Sequence, residues 1–146
     1  MSVQYMLEDE VMWFDAKNRE EVDELYIHDS EFAGFSYDYD KRVAYLNCDN
    51  YYLKKQFKFE FHNVIWCGMQ SCLFWGGGNS ILDIHLEEPC AKMEELYTMS
   101  EKMRPPFHVN RSISYLPVGF LINSGDTLLI ICEAMKMTEN DLVTGD

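Results

Sequence analysis

The sequence predicts a mainly β fold of the α+β kind: an antiparallel β sandwich or open barrel with one or two short helices. Three observations predict it. Gln56-Phe-Lys-Phe-Glu-Phe61 alternates cleanly, with three phenylalanines on one side and Lys58 and Glu60 on the other, as in a strand with one buried and one wet face. Short β-branched and aromatic runs recur along the chain, separated by turn residues. Aromatic residues make up 14% of the composition, which suits a sheet-rich core. At 146 residues the chain reads as one domain, 1–146, large enough to bury a proper core.

Taken in order, residues 3–14 mix Val, Tyr, Leu, Met, Trp and Phe without a clean period, so helix and strand compete there. Ala16 to Leu25 is rich in charge, with Val22 and Leu25 three apart, which suits a short surface helix. Together residues 1–26 form an acidic N-terminal segment. A meander of strands is expected over 30–86. Its strands are Phe32–Tyr39, then a turn at Asp38–Lys41, then Arg42–Cys48, with a break at Asp49-Asn50. Gln56–Phe61, Val64–Cys67 and Ser71–Trp75 continue the sheet, Gly76-Gly-Gly-Asn-Ser80 is a loop, and Ile81–Leu86 is a further strand. A helix is expected over 90–103, where Met93, Leu96, Met99 and Met103 recur at three- and four-residue steps between Pro89 and Pro105-Pro106. A hairpin closes the fold over 111–137: Val118–Ile122 and Thr127–Ile131 flank the glycine turn Asn123-Ser-Gly-Asp126.

The formal net charge is −13, and it is concentrated. Residues 1–40 hold 12 acidic and 2 basic side chains, whereas residues 41–146 hold 13 and 10. Nucleic acid and anionic membranes are excluded as partners on this balance, because both need a basic surface. A basic protein is the partner an acidic face would attract, and Glu20, Glu21, Asp23 and Glu24 are the residues that would meet it. The five cysteines form no CxxC pair, and the first residues show no basic region followed by an apolar core, so a reduced cytoplasmic setting is expected. No apolar run approaches the length needed to span a bilayer.

Glu133-Ala-Met-Lys-Met137 resembles the turn on which biotinyl carrier domains present their modified lysine, and Gly125-Asp-Thr-Leu128 stands where that family has a similar glycine–aspartate step. The resemblance covers about 20 of the 146 residues and implies biotin on Lys136. Three departures weigh against it. The spacing from Asp126 to Glu133 is one residue longer than the family's, and one extra residue, at Cys132 for example, turns every later side chain to the other face of a strand. The second half of a biotinyl domain has no counterpart after Lys136, and Arg104–Ile113 lacks that family's first glycine turn. The plain hairpin is therefore the expectation, with no cofactor, and a biotin carrier modified at Lys136 is the alternative. The order of His28-Asp-Ser30, the Phe-rich strand running into Asn63-Val64-Ile65, and the last strand after Ser124-Gly125 also resembles small uncharacterised bacterial β-rich proteins; that resemblance implies no activity.

No catalytic or metal-binding residue is expected. His28-Asp29-Ser30 holds the residue types of a hydrolase triad, but consecutive strand side chains face opposite ways, so Asp29 or Ser30 is assigned to local backbone bonding instead. His62, Cys67, Cys72, His85 and His108 fit no zinc spacing, and Asp38 and Asp40 are turn residues without the rest of a calcium loop. The Gly-rich loop 76–80 lacks the lysine and following helix of a phosphate loop, but a pocket joining it to His28, His62 or His85 would favour an enzyme of unassigned reaction. The leading expectation is a non-enzymatic cytoplasmic binding protein with an acidic face for a basic protein partner.

Overall fold

Phe57, Phe59 and Phe61 all enter the interior from one strand, as their two-residue spacing requires, and the rest of the fold is assembled around them. The computed structural model describes residues 10–70, 78–103, 109 and 111–142. Among these, nine strands form two open antiparallel sheets, joined by a 3-10 turn at Arg19–Glu24 and one helix, α1 (Ala91–Lys102). Sheet I contains β1 (Glu10–Phe14), β2 (Glu31–Asp38), β3 (Val43–Asn50), β4 (Lys55–His62) and β9 (Ala134–Asp141), in the order β1-β9-β4-β3-β2. Sheet II contains β5 (Trp66–Gln70), β6 (Ile81–Leu86), β7 (Leu116–Ile122) and β8 (Thr127–Cys132), in the order β5-β8-β7-β6. The mainly β, sandwich-like architecture read from the sequence is the one observed.

The sheets share a corner. β4 runs on into β5, and β8 into β9, so that two neighbouring strands cross together from one sheet to the other. Ile65 N–H donates to Ile131 O (2.9 Å) and Glu133 N–H to His62 O (3.0 Å), which keeps the pair hydrogen-bonded through the bend. At the bend Asn63 takes a positive φ of 54°, a conformation that asparagine tolerates better than most residues. A second junction joins β2 to β6: Phe32 N–H donates to Asn79 O (2.8 Å) and Ile81 N–H to Ser30 O (2.7 Å).

Between the sheets, Phe120 of β7 meets Phe59 and Phe61 edge-on, with ring centroids 5.7 and 6.1 Å away. This is a favoured aromatic geometry, and Leu46, Ile84, Leu128, Ile130, Met135 and Met137 fill the same core. A smaller cluster lies on the outer side of sheet II, where Met93, Leu96 and Tyr97 of α1 cover Ile131 and Tyr115.

Several expectations are corrected. The open choice over residues 3–14 resolves to strand at 10–14, and the short surface helix expected at Ala16–Leu25 is present as a 3-10 helix at Arg19–Glu24 with Val22 buried. β3 continues through the break expected at Asp49-Asn50, because buried Asn50 both ends the strand and starts the turn: its Oδ1 accepts from Leu53 N–H at 2.9 Å. The stripe on α1 is Met93, Leu96, Tyr97 and Ser100, while Met99 and Met103 are exposed. Six residues advance an α-helix by about 600°, which carries Met99 well off the face of Met93. The meander is interrupted where β5 leaves sheet I. The turn expected within Asn123–Asp126 is present, with Gly125 at φ 100°, yet the chain does not end its sheet contacts with that hairpin. It continues past Glu133 into sheet I. The strand expected at Ser71–Trp75, Gly76 and Gly77 of the loop, and His108 lie outside the described residues. Among the described residues no helix is long and apolar enough to cross a membrane.

Candidate functional site

The four carboxylates singled out by the sequence sit together on the 3-10 turn, held by what lies beneath and before them. Val22 and Ile27 are sunk in the main core. Asn18 organises the approach, accepting from Asp15 N–H through Oδ1 (2.8 Å) and donating through Nδ2 to Trp13 O (2.9 Å). Glu20, Glu21, Asp23 and Glu24 therefore all face solvent. They are not equivalent. Asp23 Oδ1 accepts from Leu86 N–H at 2.9 Å, covering a donor on the free side of edge strand β6. Arg19, the cation of the turn, is engaged by Glu88 and donates to Tyr115 O. Among the described residues no ion pair engages Glu20, Glu21 or Glu24. Tyr26 follows at 68% exposure, so a large aromatic stands beside the acidic turn.

His28-Asp29-Ser30 serves the same junction. His28 Nδ1 lies 3.0 Å from Leu82 O, again on the free side of β6, and buried Ser30 accepts through Oγ from Asn50 Nδ2 at 3.1 Å. Asp29 takes a positive φ of 69°. His28 Nε2 lies 3.4 Å from Asp29 Oδ1, while Ser30 bonds Asn50 instead, so the three do not form a triad, and His28 and Ser30 anchor the start of β2.

Lys136 lies in the middle of β9, between Trp13 of β1 and Glu60 of β4 in register, and not at a turn tip. Its Nζ is 3.8 Å from Glu60 Oε2 and 5.8 Å from the centroid of the Trp13 ring. The chain passes from sheet to sheet at Glu133 instead of reversing, and this is why the lysine falls within a strand. His62 stacks against Trp13 with centroids 5.2 Å apart.

A second site has no counterpart in the motifs of the sequence. The outer face of sheet II carries a concavity of about 500 Å³ beyond the end covered by α1. Its floor is a row across four strands: Gly68 (β5), Leu129 (β8), Gly119 (β7) and His85 (β6) are successive register partners. The Trp66 ring lies over Gly68 and the His85 ring over Gly119, where an added Cβ would stand 2.8 Å from His85 Nε2. His85 is flanked two residues away on either side by carboxylates, Asp83 within β6 and Glu87 just past its end. Nδ1 is 2.7 Å from Asp83 Oδ2 without the alignment of a hydrogen bond, and Nε2 is 3.6 Å from Glu87 Oε1. Gln70, Thr127 and Glu87 supply the polar rim. His85 thus lines a pocket, whereas His28 and His62 stand elsewhere. Gly78, the described glycine of the Gly-rich loop, packs against Asn123. The signal available in the sequence was the pair of glycines inside apolar strands, Cys67-Gly68-Met69 and Val118-Gly119-Phe120, since a strand glycine marks close approach by another group.

Among the described residues no group of three or more His, Cys, Asp or Glu side chains is placed to hold a metal. Cys48, Cys67, Cys90 and Cys132 are free thiols. Burial pushes the Cys48 and Cys132 thiols far above their ordinary range, which makes them inert packing groups. No protein-family model, curated protein or solved structure matches the chain.

Proposed function

We propose that this is a cytoplasmic, non-enzymatic binding protein whose acidic 3-10 turn docks a basic protein partner. The observation that carries the reading is the outward display of Glu20, Glu21 and Glu24 on a turn pinned by Val22 and Asp23, without an engaged cation among the described residues. Three carboxylates held on a fixed platform create a local negative potential that raises the rate of encounter with a positive surface. Tyr26 beside them adds the large amphipathic contact that protein interfaces favour. The cytoplasmic setting rests on the cysteine usage.

The test is retention of proteins from a cell extract at low and at high salt, on the natural chain and on the variant Glu20→Lys/Glu21→Lys/Glu24→Lys. Asp23 is left untouched because it covers the β6 edge. Basic proteins held at low salt, released at high salt and missing from the variant support the reading, because exposed charge pairs are screened over about 10 Å at 0.1 M salt. An identical set on both proteins, or retention indifferent to salt, refutes it.

A further inference from the structure

We propose that the concavity on sheet II binds a small organic cation with a flat apolar body, such as an aromatic amine. This site is separate from the acidic turn and does not rest on the reading above. Its volume of about 500 Å³ falls within the range of small-molecule sites. Its shape depends on two glycines in one cross-strand row, whose missing side chains let neighbouring rings lie down on the outer face of the sheet. Gly68 and Gly119 both pair with Leu129, so they are two strand spacings apart, about 10 Å. The Trp66 and His85 rings lie over these glycines and form opposite walls. Leu129 is the floor between them and Leu121 extends it. A flat ring laid on Leu129 fills this slot and removes apolar surface from water on both sides.

The charge of the ligand follows from the rim. Glu87 lines the site and Asp83 stands behind His85, whereas no lysine or arginine is among the described lining residues. Lys92 stands beside the Trp66 wall, its Nζ 4.9 Å from the centroid of that ring. It is held by Glu95 at 3.1 Å. The rim is therefore negative at the β6 wall. An ammonium reaching Glu87 gains a charge-assisted hydrogen bond, and a carboxylate there is repelled. Gln70 and Thr127 offer further acceptors at the opposite end of the floor.

Tryptamine and indole-3-acetate share a ring and differ in the sign of the charge, so they are the probes. Titration is followed by calorimetry and by amide NMR of the natural chain. Expected are saturable tryptamine binding, shifts centred on the Gly68, Gly119 and Thr127 amides, and binding of indole-3-acetate weaker by about tenfold or more. Glu87→Gln, at an exposed position, weakens tryptamine by about tenfold. Gly119→Leu fills the floor and abolishes binding; its amide spectrum shows whether the fold is kept, and Glu87→Gln decides the matter if it is not. The charge-reversed acidic turn leaves tryptamine binding unchanged, which separates this site from the partner surface. Equal affinity for both probes, shifts centred on residues 19–24, or no saturation at millimolar tryptamine overturns the proposal.

Discussion

Alanine at Gly119 has opposite effects on stability depending on whether His85 is present. The backbone at Gly119 is not in the left-handed region, so alanine is conformationally acceptable. A strand glycine replaced by alanine gains about 0.5–1 kcal/mol from the reduced freedom of the unfolded chain. Against this stands the new Cβ at 2.8 Å from His85 Nε2, well inside contact distance. The ring must lift and leave the carboxylates of Asp83 and Glu87, and overpacking of this kind costs about 1–3 kcal/mol. The net effect of Gly119→Ala in the natural chain is a destabilisation of about 1 kcal/mol. In a His85→Ala background the obstacle is gone, and the same substitution stabilises by about 0.5–1 kcal/mol. The coupling between the two positions is thus about 2 kcal/mol, in the range of residues in direct contact. Urea unfolding of the four proteins reads it. With a slope of about 2 kcal/mol per molar, the midpoint falls by about 0.5 M in the first background and rises by about 0.3–0.5 M in the second. Equal shifts in both backgrounds would show that His85 does not rest on Gly119, and the described wall of the concavity would be wrong.

Three further outcomes follow from the geometry. Asp23→Ala destabilises by about 1 kcal/mol because it uncovers the Leu86 amide, whereas Glu20→Ala, Glu21→Ala and Glu24→Ala each stay within about 0.5 kcal/mol; thermal unfolding distinguishes them. Iodoacetamide labels Cys67 of the folded protein well before Cys48 or Cys132, since deep burial suppresses both access and the thiolate in the latter two; peptide mapping by mass spectrometry gives the order. Glu10 and Glu139 face each other across β1 and β9, and the shared hydrogen bond with Glu10, followed by burial, raises the Glu139 carboxyl above its ordinary range. The folded pair then takes up a proton more readily than the unfolded chain, so its contribution to stability grows as pH falls through the carboxylate range and is lost as pH rises above it. Glu10→Gln raises the unfolding temperature at neutral pH and has less effect near pH 4.5, the ordinary carboxylate value; no change at neutral pH would refute the pairing.

Where period and burial agree, the fold was legible. Gln56–Phe61 was readable residue by residue because one face meets the core and the other meets water. The hairpin at Asn123–Asp126 was readable because a turn with positive φ calls for glycine, and Gly125 supplies it. The charge of the acidic turn was readable, but its division of labour was not. Nothing local marks Asp23 as the residue that covers a donor of β6, 63 positions further on, while its neighbours stay free. The stripe on α1 was misread because methionine spacing was counted without the angle it implies, and Tyr97 and Ser100 take the places given to Met99 and Met103. The concavity was least legible of all, since its row of Gly68, Leu129, Gly119 and His85 comes from four strands and exists only once their registers are set.

The extra residue that spoils the likeness to a biotinyl turn lies at the corner of this fold. Along β8 the even positions Leu128, Ile130 and Cys132 enter the main core, while Leu129 and Ile131 serve the outer cluster under α1. Along β9 the odd positions Met135 and Met137 enter that same core. The inward parity therefore changes once, between Cys132 and Met135, and Glu133 donates its amide to His62 at that point. A strand confined to one sheet cannot change parity without a bulge, because its side chains alternate strictly. The companion strand crosses the same corner with odd positions inward on both sides, Phe57, Phe59 and Phe61 in β4 and Cys67 in β5, so the crossing alone does not demand the change. The extra residue between Asp126 and Glu133 thus belongs to the strand of the shared pair whose inward parity changes at the corner. It also fixes the position of Lys136, one residue from inward-facing Met135 and Met137, on the outer face of sheet I in register with Trp13 and Glu60.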